Sequence, residues 1–149
     1  MIFVASDHGG FNLKQELVKW LKSSKNPAKD LGPKLLKQDD DYPNFAFEVC
    51  KQVLKGKNNT GILICRNGVG MSVAANKVKG IKAGLCSYVG QAITARAHDN
   101  CNVLVLPADF IDEERAIKVL KTFLSASFSA EERHVSRLKI IEDYERNRK

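Results

Sequence analysis

The sequence predicts one α/β domain, with a parallel sheet of about five strands covered by helices on both faces. Three observations lead there. Short apolar runs alternate with stretches of helical periodicity from end to end, the pattern of strand–helix–strand units. The 149 residues match one ordinary domain and can bury a real core. Hydrophobic residues at 44% and charged residues at 28% are usual for a globular chain. No repeat, low-complexity tract or linker divides it, so residues 1–149 are read as a single unit.

Ile2–Ala5 reads as the first strand, and Leu13, Leu17, Trp20 and Leu21 mark one face of the helix that follows. A short extended piece is expected near Asp30-Leu31-Gly32, then a polar loop, KQDDDYP. Phe45, Val49 and Val53 stripe a second helix, and Gly61–Cys65 forms the next strand. After a glycine-rich turn and a helix of small residues, Ile81–Leu85 reads as a strand and Ala92, Ile93 and Arg96 lie on a helix. Val103–Leu106 is the last strand. Ala116, Val119, Leu120 and Phe123 face inward from a helix that Asp112 caps. A final helix begins near Glu131, rich in Arg and Glu, with Leu138 and Ile141 apolar. The expected architecture is a Rossmann-like three-layer domain.

The segment with most chemical content is Thr60–Lys77, TGILICRNGVGMSVAANK. A buried strand of Ile62, Leu63 and Ile64 carries Cys65 to its C-terminal tip, and Asn67-Gly68-Val69-Gly70 then turns backbone amides toward the crevice above the sheet. A thiolate takes a proton, and oriented amides hold the resulting oxyanion, which points to carbanion or enediolate chemistry. A helix N-terminus beside the sulfur is expected to lower its pKa. The competing reading is a tight turn beside an inert core cysteine. The dinucleotide fingerprint is broken by Val73, and no Gly-Lys-Ser/Thr of a phosphate loop is present. The same sheet edge gathers Ser6-Asp7-His8-Gly9-Gly10 and Pro107-Ala108-Asp109, so Asp7 and His8 become neighbours of Cys65 despite their distance in sequence. His8 is there either a polar surface residue or a ligand.

Cys50, Cys65, Cys86 and Cys101 lie far apart with no C-x-x-C pair, which argues against a zinc ribbon and for four thiols in a reducing compartment. Cys86 ends a strand and lines either the core or the Cys65 crevice. No apolar run approaches the length of a membrane span, and MIFVASDHGG lacks a basic leader, so the cytoplasm is the expected location. The net charge of +7 comes from scattered lysines, without the aromatic interleaving of a single-strand nucleic-acid binder. Such a surface attracts phosphorylated metabolites. No nucleic-acid or membrane partner is expected.

SDHGGF (Ser6–Phe11), DYPNFA (Asp41–Ala46), GILIC (Gly61–Cys65), GVGMSVAANKVKGIKAGLC (Gly68–Cys86), ARAHDNCNVL (Ala95–Leu104) and RHVSRLKII (Arg133–Ile141) together resemble the type B ribose-5-phosphate isomerases and their galactose- and allose-6-phosphate relatives. The resemblance covers nearly the whole chain in order. It implies aldose–ketose isomerisation of a phosphorylated sugar through an enediolate, with no metal and no cofactor. It makes Cys65 the base between C1 and C2 and His98 the acid–base group that opens the sugar ring, a role suited to imidazole. Backbone around Asn67, Gly68, Val69, Gly70 and Ser72 is expected to hold the enediolate oxygens. Asp7 and Tyr42 are expected at sugar hydroxyls, and His8, Arg133 and Arg137 at the phosphate. A homodimer or dimer of dimers, with the final helix on a partner and the site at the interface, follows from the same resemblance.

The chain departs from the family pattern at Arg66 and Asn67 (usually Gly, then Thr or Ser) and at Asp99-Asn100 (usually Asn-Asp). It also departs at Asp109, where a phosphate-binding arginine is usual, and at Glu131-Glu132 (usually Gly-Gly). Asp99 is kept as a substrate contact, and Arg66 is expected to replace the missing cation. The substrate expected is ribose 5-phosphate, in exchange with ribulose 5-phosphate. The alternatives are a six-carbon sugar phosphate, or a catalytically weak sugar-phosphate-binding protein.

Overall fold

The computed structural model describes residues 1–147. Five strands, β1 (Ile2–Ser6), β2 (Ala28–Asp30), β3 (Thr60–Cys65), β4 (Ala83–Leu85) and β5 (Val103–Pro107), form one parallel sheet in the order β2-β1-β3-β5-β4. Six helices accompany them: α1 (Phe11–Ser23), α2 (Tyr42–Val53), α3 (Val69–Ala75), α4 (Val89–Ala97), α5 (Glu113–Ser125) and α6 (Glu132–Asn147).

β1, β5 and, after the half-buried Thr60, β3 are buried along their length because both faces are covered, which is why they read as continuous apolar runs rather than alternating ones. Alternation survives in where the side chains go. Ile2, Val4, Ile62, Ile64, Leu104 and Leu106 meet Leu17, Leu21, Leu120 and Phe123 of α1 and α5. Phe3, Ala5, Leu63, Cys65, Val103 and Val105 meet Val49, Val53, Met71 and Ala75 of α2 and α3. Cys65 therefore faces the α2–α3 layer. Cys86 lies in the other layer, 1% exposed, as a core residue away from Cys65.

β1, β3 and β5 each run one residue longer than expected, and two strands differ by more. β2 falls slightly earlier than Asp30–Gly32, because Gly32 at φ +112° turns the chain away and its N–H is taken by the Asp30 side chain. β4 begins at Ala83, not Ile81, because Ile81 donates to Val78 in a turn and the Lys82 N–H goes to Asn102 Oδ1. Asp112 caps α5 as expected, accepting from the Arg115 N–H at 2.8 Å. Lys14 was not anticipated in the α1 core face. It is fully buried, its ammonium bonded at 2.9 Å to both Asp30 oxygens and to the Pro33 carbonyl. On α6 only His134 and Leu138 are buried, one helical turn apart, while Ile141 is exposed.

The start of α1 is pressed against the tip of β3. A Cβ on Gly10 would stand 2.5 Å from the Ile64 carbonyl oxygen and 2.7 Å from its carbon, both backbone atoms that cannot swing aside. Gly10→Ala is therefore expected to cost about 2–3 kcal/mol through overpacking, read as a lower Tm in thermal unfolding.

Candidate active site

The C-terminal edge of the sheet is assembled by backbone hydrogen bonds between its loops. Asp7 N–H donates to Ile64 O, Ala108 N–H to Cys65 O, and Asp109 N–H to Arg66 O. These three bonds bring Asp7, His8, Cys65, Arg66, Asn67 and Asp109 to one place. Gly68 makes the sharp turn from β3 into α3 at φ +78°, where a Cβ would also meet Leu85 Cδ1 at 2.2 Å. Tyr42, first residue of α2, lays its ring on Gly70, where an added Cβ would lie 2.7 Å from Cζ. Ser72 Oγ is buried with no hydrogen-bond partner among the described residues.

Cys65 is 4% exposed at the tip of β3. The expected lowering of its pKa is not found. Burial pushes the thiol up, Asp7 adds to that, and the Met71, Gly68 and Asn67 amides only oppose it. α3 is seven residues long, too short for a strong dipole, so desolvation prevails. The amides still set Cys65 apart: Cys50 and Cys86 are pushed up to about 11 and Cys101 to about 12. All four cysteines are free thiols.

Not every amide of the turn is available. Asn67 turns its own Oδ1 back to accept the Val69 N–H at 3.0 Å, and the Ser72 N–H goes to Gly68 O at 3.1 Å. The Asn67 side chain and the Val69 amide thus serve the turn, and Ser72 keeps its hydroxyl to offer. Asp7 accepts the Gly10 N–H at 2.9 Å, and its burial holds its carboxyl above the usual range. Arg66 reaches across Gly9 and donates from Nε to Asp109 Oδ2 at 3.0 Å, so Asp109 is neutralised rather than aimed at the crevice.

His98, Asp99, Arg133 and Arg137 are not part of this cluster. α4 runs back against the strands, so His98 at its C-cap stands at the edge where β5 begins. Cys65 is in register with Pro107, where β5 ends. The four steps of β5 alone span about 13 Å. His98 stacks on His134, ring centroids 4.4 Å apart and planes 28° from parallel. His134 is 3% exposed and its Nδ1 lies 2.8 Å from Ser129 Oγ. Arg133 and Arg137 are exposed on α6 beside it, Arg133 donating to Glu131 at 2.9 Å, and Asp99 is exposed. One chain therefore carries two half-clusters at opposite sheet edges.

Sequence reasoning missed two residues. Asp40, hidden in a run of three aspartates, bonds His8 Nδ1 at 2.7 Å. His134 could have been found from its spacing of four to Leu138, which puts both on one helix face. Among the described residues no three His, Cys, Asp or Glu side chains cluster as metal ligands, and no helix is long and apolar enough to cross a membrane.

The sequence matches the Ribose/Galactose Isomerase family over residues 2–141. It is 44% identical over 146 residues to a probable ribose-5-phosphate isomerase B of Mycoplasma genitalium, covering 97% of this chain and 95% of that one. It is 35% identical over 144 residues to a putative sugar phosphate isomerase of Bacillus subtilis, covering 97% and 96%. Among solved structures, ribose-5-phosphate isomerase B from Mycoplasma genitalium with bound ribulose-5-phosphate superposes with a TM-score of 0.94 at 44% identity, over 99% of this chain and 97% of that one. A ribose 5-phosphate isomerase from Thermotoga maritima superposes with a TM-score of 0.91 at 39% identity, over 95% and 97%.

Proposed function

We propose that this chain, which belongs to the ribose/galactose isomerase family, interconverts ribose 5-phosphate and ribulose 5-phosphate through an enediolate. The observation that carries the reading is Cys65: a thiol at a strand tip, shielded from water, facing the amides of Asn67, Gly68 and Met71. As thiolate it takes the proton from C2 of the aldose and returns it to C1, while amides of the turn and Ser72 Oγ donate to the enediolate oxygens. Asp7 and Tyr42 border the same crevice and contact sugar hydroxyls.

Ring opening needs a proton donor and acceptor at the ring oxygen, which His98 supplies. Because His98 lies a strand length from Cys65 in its own chain, it serves the Cys65 of a second copy, and Arg133 and Arg137 reach the substrate from that copy too. An exposed apolar run on α6 (Val135, Ile140, Ile141 and Tyr144) supports this pairing. So does a groove of about 510 Å³ that Leu138 and Ile141 share with Leu85, Cys86 and Ala95. A homodimer, or a dimer of such dimers, is the working form, and the cytoplasm its place.

The phosphate meets His8 and Arg66 on one side. Arg66 uses only Nε on Asp109 and has its terminal nitrogens to spend on an anion. Arg66→Gly is expected to raise KM for ribose 5-phosphate about fivefold with little change in kcat, the effect of roughly 1 kcal/mol for an exposed charged contact. An unchanged KM would remove Arg66 from the phosphate site. The assay that tests the function is ribulose 5-phosphate formation from ribose 5-phosphate, run beside six-carbon aldose phosphates. Turnover of the six-carbon compounds alone would overturn the five-carbon assignment.

A further inference from the structure

His8 and Asp40 meet across 32 residues of chain beside the Cys65 crevice, one in the turn after β1 and the other in the loop before α2. Nδ1 of His8 is 2.7 Å from Oδ1 of Asp40, whose side chain is only 8% exposed while that of His8 is 29% exposed. The second oxygen, Oδ2, is buried without a hydrogen-bond partner among the described residues. A carboxylate withdrawn from water to that degree needs a cation beside it, and the imidazole is the cation at hand. The contact also fixes the ring. A carboxylate accepts the Nδ1–H, which leaves Nε2–H as the donor turned outward.

We propose that Asp40 is a positioning residue for the phosphate site, orienting His8 and supplying the counter-charge that keeps its imidazolium available to the substrate. This rests on the reading of His8 as a phosphate ligand. The charged groups facing His8 are Asp40 from the loop before α2, Asp7 beside it in the same turn, and Arg66 from the turn after β3. The bond to Asp40 is the leading influence and, with Asp7, moves the imidazole above its ordinary 6.5, while partial burial and Arg66 pull the other way. The cation is present below the raised pKa and is lost as pH climbs through it. Phosphate binding then persists further into the alkaline range than an isolated histidine allows.

Two substitutions separate charge from orientation. Asp40→Asn keeps an oxygen to accept the Nδ1–H but removes the charge; Asp40→Ala removes both. Asp40→Asn is expected to leave KM for ribose 5-phosphate near wild type at pH 6. At pH 8 it raises KM about tenfold, the worth of one charge-assisted hydrogen bond, with kcat little altered. Asp40→Ala raises KM at both pH values. A readout independent of turnover is the imidazole ¹⁵N titration of His8, assigned by its absence in His8→Gln. Its midpoint should fall in Asp40→Asn, and inorganic phosphate should shift the signal in the wild type. The proposal is overturned by a midpoint that Asp40→Asn leaves in place, or by a His8 signal indifferent to phosphate. It is equally overturned by a loss of Tm with no movement of the KM profile, which would confine Asp40 to holding its loop. No turnover of ribose 5-phosphate by the wild type would overturn the isomerase reading alone, and the ¹⁵N titration would still decide Asp40.

Discussion

Replacing Cys65 by alanine is expected to lower kcat for ribose 5-phosphate by a factor on the order of 10³, the upper range for removal of a general base. KM should change little, because Cys65 contributes no charge to phosphate binding. Cys50→Ala is the control: that thiol is buried in the same layer, but on α2 and not at the tip of a strand. The free enzyme holds Cys65 as a thiol, since burial and the Asp7 charge raise its pKa above the ordinary value. A substrate lying over the crevice leaves the sulfur shielded from water, so in the complex too the thiolate fraction grows with pH below that pKa, and kcat should climb through and beyond neutrality. KM should rise over the same range as His8 loses its proton. The two limbs belong to different residues, so Cys65 variants move kcat and Asp40 variants move KM. Turnover that survived Cys65→Ala would keep the reaction and remove this cysteine as its base.

The raised pKa of Cys65 is the opposite of the lowering that its place before a glycine turn and a helix suggests. A cysteine followed by a glycine turn and a helix announces favourable amides. It does not announce how deeply the sulfur is buried, in a layer it shares with Met71 and Ala5, or that the Asp7 charge stands near it. The central strands were legible because each is buried on both faces and so reads as an unbroken apolar run. Their parallel direction and shared C-terminal edge followed from the alternation with helices, whereas the spatial order β2-β1-β3-β5-β4 did not. The ends of β2 and β4 were not legible, since Asp30, Asn102 and Gly32 settle them through side-chain bonds and a turn. Asp40 was hidden for the same reason: its partner is 32 residues away, and nothing in a run of three aspartates singles out the middle one. Lys14 was hidden by its own charge, which local patterning assigns to solvent while Asp30 and Pro33 hold it inside.

Mixing two inactive variants, Cys65→Ala and His98→Ala, is expected to restore activity. α4 is antiparallel to the strands, so no rotamer of His98 brings it around the sheet to the Cys65 of its own chain. If each site takes Cys65 from one copy and His98 from the other, a mixed dimer contains one site with both residues intact and one with neither. Random pairing makes about half of the dimers mixed, and each has one good site of two, so about a quarter of wild-type kcat per chain should return. Sites formed within one chain give the opposite result, because every chain then carries a defect and the mixture stays at the level of the separate variants. The measurement is the specific activity of the co-refolded variants, set against the same two proteins mixed without unfolding. Arg137→Ala in place of His98→Ala should complement Cys65→Ala in the same way, since it stands on the His98 side of the molecule. Failure of both pairs would return the site to a single chain and require another residue near Cys65 to open the ring.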